Sequence, residues 1–97
     1  MGSLKSHYLD ELVEVLGKVA RDRKHLKDFL EDLLTPAERR ELALRWQIVK
    51  LLHRKVPQWH IAQSLKVAVA TVTRGSRTLL NAEGGFRRAL RLFTSKN

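Results

Sequence analysis

Residues 58–76 read QWHIAQSLKVAVATVTRGS, two short helical patterns about a tight turn, and the surrounding chain from Leu42 to Ala82 contains no acidic side chain. A helix-turn-helix entering a DNA groove has that combination of pattern and charge. Ile61, Ala62 and Leu65 on a first helix are spaced to meet Val67 and Val72 of a second, with the small Ala62 at the crossing. The second helix is expected from about Ala68 to Leu80, with Val69, Ala70, Thr71, Thr73, Arg74 and Arg77 on or near its outer face. The turn calls for a left-handed residue, usually glycine, and the position falls on Lys66. A lysine adopts that conformation at a cost of about 1 kcal/mol. An ordinary helical hairpin with a basic surface is the alternative.

Working outward, 97 residues make one domain with a limited core, and a helical fold of this size gains stability by sharing apolar surface with a second copy. The net charge of +9 is uneven: residues 1–35 hold six Lys or Arg against seven Asp or Glu, and residues 36–97 hold thirteen against three. The basic portion suits a polyanion, because Lys and Arg displace counterions from phosphates. A membrane surface uses the same charge, but no apolar run approaches the roughly 18 residues of a spanning helix and no signal segment opens the chain. The absence of cysteine excludes disulfides and thiolate metal sites. A cytoplasmic protein is expected.

The rest of the chain reads as helix. Leu9, Leu12, Val13, Leu16, Val19 and Ala20 repeat at helical spacing and define a first helix ending near the charged stretch RDRKH. Leu26, Phe29, Leu30, Leu33 and Leu34 define a second. Thr35 as cap, Pro36 at the first helical position and Glu38 closing a capping box start a third, which continues through Leu42, Trp46, Val49 and Leu52 to about Arg54. Trp46 reads as a core anchor facing the second helix. Pro57 marks entry to the helix-turn-helix, and the turn-rich residues 81–85 precede a last helix carrying Phe86, Ala89, Leu90 and Phe93. Nothing alternates with a strand period, so the expected fold is six helices in one all-α domain.

Two stretches carry a resemblance. LTPAERRELALRWQIVKLL at residues 34–52 and ATVTRGS at 70–76 resemble the tryptophan repressor family of bacterial transcription regulators. The resemblance implies an intertwined homodimer, with dimerisation helices over residues 8–54 and 85–94 and the helix-turn-helix over 57–80, binding a palindromic operator in double-stranded DNA. It also implies a pocket for L-tryptophan as co-repressor between the third and recognition helices. Arg45 and Arg74 match the two arginines that sandwich the indole ring, a task that planar guanidinium groups suit. By the same match Arg74 and the Thr35 hydroxyl take the ligand carboxylate, the backbone carbonyls of Asp32 and Leu34 take its ammonium, Gly75 leaves room for the ring, and Thr78 contacts the head group. Occupancy then favours the DNA-competent arrangement.

For DNA, Gln58 is placed to bond a phosphate, and Trp59 either packs against DNA from the surface or anchors its helix from within. Short side chains at Ala68, Val69 and Ala70 let the backbone approach the bases, and Thr71 and Thr73 offer hydroxyls to base edges or phosphates. Arg54, Lys55, Lys66 and Arg77 are the expected phosphate contacts, with Arg87, Arg88 and Arg91 near flanking DNA or simply solvated. Catalysis is not expected: His7, His25, His53 and His60 lack metal-ligand spacing, and Ser76 lacks a base. No metal is expected either. Two further readings are a related regulator that is ligand-independent or uses another ligand, and a basic helical module binding RNA or a protein.

Overall fold

The computed structural model describes residues 2–80 and 84–94, with side chains from His7 onward. Six helices follow in order: α1 (Gly2–Val19), α2 (Arg23–Leu33), α3 (Pro36–His53), α4 (Gln58–Leu65), α5 (Val69–Leu79) and α6 (Gly85–Thr94). There is no strand among the described residues. The chain divides into two compact units, residues 1–39 and 40–97. Most of the turn expected before α6 lies outside the described residues.

In the first unit the charged stretch between the helices is itself structured. Asp22 caps α2, its carboxylate accepting from the backbone N–H groups of Lys24 at 2.9 Å and His25 at 3.2 Å, so α2 begins inside RDRKH. At the other end the Arg39 guanidinium donates to the carbonyls of Glu31 and Leu34, each at 2.9 Å, satisfying groups that the helix leaves open. The capping box forms as expected: Thr35 N–H donates to Glu38 Oε1 at 2.9 Å, and Glu38 N–H donates to the Thr35 hydroxyl at 3.2 Å. No described side chain between residues 7 and 39 is buried, and Tyr8, Leu9 and Val13 of α1 are exposed.

The second unit has two apolar cores. In one, Ile48 of α3, Ile61 and Ala62 of α4 and Val72 of α5 are buried together, with Leu65, Val67 and Val56 packed against them. The meeting expected across the helix-turn-helix is therefore present. In the other, Val49, Leu79 and Leu90 join α3, α5 and α6. Trp46, expected to anchor toward the second helix, has its ring partner on α6: Phe93 meets it edge-on at 5.7 Å between centroids.

Two lysines turn the chain. Lys66 adopts φ 60° and ψ 47°, the left-handed conformation that the turn required. Lys55 does the same at φ 68°. At each, the following valine N–H reaches back into the preceding helix, Val56 to the Leu51 carbonyl at 3.1 Å and Val67 to the Ala62 carbonyl at 3.0 Å. These are Schellman-type ends in which the valine then packs on the core. Two such turns set α4 between α3 and α5, and this positions the site.

Candidate effector cleft and nucleic-acid interface

A cleft of about 470 Å³ opens within the second unit, a volume in the range that holds small ligands. Its walls are Glu41, Leu44, Arg45, Ile48 and Val49 from α3 and Thr71, Arg74, Gly75 and Thr78 from α5, closed by Val67 and Phe86. Helical spacing explains the first set, since residues 41, 45, 48 and 49 share one face of α3, and the same holds for 71, 74, 75 and 78 on α5. At Gly75 the α5 backbone passes close to side chains of α3. A Cβ there would lie 2.9 Å from Ile48 Cγ2 and 3.6 Å from Leu52 Cδ1.

The structure thus brings together four of the ligand residues expected from sequence, Arg45, Arg74, Gly75 and Thr78. Asp32, Leu34 and Thr35 fall in the first unit, where the Thr35 hydroxyl accepts the α3 cap and the Leu34 carbonyl already accepts from Arg39. Thr78 donates its hydroxyl to the Arg74 carbonyl at 3.2 Å, which leaves its lone pairs to accept. Arg45 is held by Glu41, Nη2 donating to Oε2 at 2.9 Å. Glu41 and Thr71 are wall residues that sequence reasoning did not place at this cleft. For Glu41 the available signal was its position one helical turn before Arg45.

The chemistry of this lining suits a flat ring carrying a carboxylate, since apolar walls stand beside two guanidinium groups that offer charge and planar faces. Among the described residues from 40 onward, Arg45–Glu41 is the single salt bridge, so the other cations described in this unit have no carboxylate partner among those residues.

The DNA candidates separate into exposed and engaged. Arg54, Lys55, Lys66, Ala68, Val69, Ala70 and Arg77 are exposed, and Trp59 is 66% exposed with its ring stacked on His60 at 5.4 Å between centroids. Trp59 therefore lies at the surface of this unit and does not anchor α4 from within. Gln58 and Thr73 are half-buried and bonded to each other, the Thr73 hydroxyl lying 2.9 Å from Gln58 Oε1. Thr71, expected at a base edge, is half-buried on the cleft wall. Arg87 is half-buried and not simply solvated: its Nε donates to the Leu79 carbonyl at 2.7 Å and ties α6 to the end of α5. Arg88 and Arg91 remain exposed.

A family model described as Trp repressor protein matches residues 7–93, nearly the whole chain. The chain belongs to the Trp repressor family. It is similar to the Trp operon repressor homolog of Mannheimia succiniciproducens, 46% identical over 70 residues that cover 71% of this chain and 68% of the relative. The homolog of Actinobacillus succinogenes is 46% identical over 68 residues, 69% of this chain and 66% of the relative. For that of Haemophilus influenzae the identity is 39% over 70 residues, covering 71% and 69%. The aligned segments therefore span about two thirds of these relatives' length. Trp repressor proteins are transcriptional regulators and not enzymes, and the six-helix architecture is that of the family. No helix among the described residues is long and apolar enough to cross a membrane.

Proposed function

We propose that this chain is a cytoplasmic, operator-specific transcriptional repressor that binds palindromic double-stranded DNA as a homodimer and takes L-tryptophan as co-repressor in the cleft between α3 and α5. The observation that carries the reading is that α5 serves two surfaces. Thr71, Arg74, Gly75 and Thr78 line the cleft, while Val69, Ala70 and Arg77 of the same helix are exposed. A ring held between Arg45 and Arg74 bears directly on the helix that enters the groove, so ligand binding favours the arrangement of α5 that fits DNA. Arg74 takes the ligand carboxylate, and Gly75 and Ile48 floor the ring site. Asp32, Leu34 and Thr35 belong to the proposed site through the family resemblance.

The cations Arg54, Lys55, Lys66 and Arg77 supply phosphate contacts, and the short side chains of Ala68, Val69 and Ala70 allow close approach to the bases. Dimerisation through helices within residues 8–54 and 85–94 is supported by the absence of buried side chains among the described residues of the first unit and by the exposed Tyr8, Leu9 and Val13. The test is fluorescence anisotropy of a palindromic operator duplex and a scrambled duplex at fixed salt, with and without L-tryptophan. Ligand-dependent preference for the palindrome supports the reading. Equal affinity for both duplexes with a steep salt dependence sinks it in favour of a basic interaction module.

A further inference from the structure

The cleft holds three charged groups, Arg45, Arg74 and Glu41, and Glu41 is the single carboxylate among the described residues of its unit. The geometry points to Glu41 as the residue that makes the cleft select an aromatic ligand carrying an ammonium group beside its carboxylate, over the same ring and carboxylate without the amine. This inference rests on the proposed reading of the cleft as an aromatic amino-acid site.

Two observations lead there. First, Glu41 has acceptor capacity to spare. Its Oε2 takes the Arg45 Nη2 donor at 2.9 Å, no other hydrogen bond to this carboxylate is present among the described residues, and an ionised carboxylate has about four lone-pair sites. Second, the charges of the cleft are complementary to a zwitterion. Arg74 supplies a positive charge for a carboxylate, and the Arg45–Glu41 pair lines the same cleft with a guanidinium and an anionic oxygen side by side. A ligand lacking the amine brings only a negative charge toward Glu41.

The Arg45 and Glu41 side chains are 52% and 59% exposed, so the discrimination is that of a solvated charge-assisted contact, about tenfold in affinity. Glu41 also orients Arg45, and its two roles are separable. Glutamine keeps a carbonyl oxygen for Arg45 and loses the charge that attracts an ammonium; alanine loses both.

The experiment is calorimetric titration of L-tryptophan and of indole-3-propionate into the wild type, Glu41→Gln and Glu41→Ala, each first shown to be folded by circular dichroism. The wild type is expected to favour L-tryptophan about tenfold, and Glu41→Gln to bring the ratio near one by weakening L-tryptophan while indole-3-propionate holds or gains. A ratio that does not change in Glu41→Gln, or equal losses for both ligands, overturns the inference and leaves the cleft as a ligand site. Failure of the wild type to bind either compound overturns the reading of the cleft, and this inference with it.

Discussion

The Thr73 hydroxyl of α5 donates to Gln58 Oε1 at the first residue of α4, across 2.9 Å. The bond joins the two helices of the reading head at a point the turn does not reach. Both residues are half-buried, and the same hydroxyl lies 3.1 Å from the Val69 carbonyl, so its partners are internal. Thr73→Val keeps the shape and removes the donor. It is expected to cost about 1 kcal/mol in urea unfolding at fixed protein concentration, with a proportionate loss on operator and scrambled duplex alike. A change of site preference at unchanged stability would instead make Thr73 a base reader.

Gly75 is required by contact. Its helical backbone suits any residue, but an added Cβ meets Ile48 Cγ2 at 2.9 Å, and Ile48 is only 2% exposed and cannot yield easily. Gly75→Ala is expected to destabilise by about 1–3 kcal/mol through overpacking. In an Ile48→Ala background, where that methyl is gone, the same substitution should cost markedly less. Unfolding of the four proteins of this double-mutant cycle checks the coupling.

Lys66 combines a backbone cost with a surface charge. At φ 60° it occupies a conformation that glycine adopts freely. Lys66→Gly is expected to raise stability by up to about 1 kcal/mol while removing one phosphate contact. The slope of log affinity against log salt should then fall by about one. A more stable variant with an unaltered slope would remove Lys66 from the DNA interface.

Trp59 is large, apolar and 66% exposed, stacked only on His60 among the aromatic rings described. Because it contributes little to the core, Trp59→Ala should change stability by less than about 0.5 kcal/mol. Under the proposed function it weakens duplex binding, and anisotropy titration against the wild type reads the loss. Equal affinity in the two proteins would assign the ring to another surface role.

Arg87 is half-buried and its Nε lies 2.7 Å from the Leu79 carbonyl, a charge-assisted bond at the C-terminal end of α5. Arg87→Met retains much of the stem and is expected to lose about 1–2 kcal/mol of stability with no change in the salt dependence of DNA binding. Arg88→Ala, at an exposed neighbour, should do the reverse if flanking DNA reaches this helix. Thermal unfolding and salt titration of both variants separate the two roles.

The amino-acid sequence by itself determined the six helices, the Thr35–Pro36–Glu38 start of α3, the contact of Ile61, Ala62 and Val72, and the left-handed turn at Lys66. These follow from apolar periodicity and from side-chain-to-backbone bonds within a few residues, which local chemistry dictates. The resemblance of two short motifs added Arg45, Arg74, Gly75 and Thr78, which the fold brings to one cleft. Only the tertiary structure decided that Glu41 and Thr71 share that cleft, that Trp46 meets Phe93, that Thr73 bonds Gln58 and that Arg87 caps α5. A polar or aromatic side chain on a helix has several partners within reach, and its choice depends on where the neighbouring helices lie. For α4 that placement depends on two left-handed lysines, of which Lys55 carries no sequence signal because its conformation is imposed by the packing of Val56 on the core.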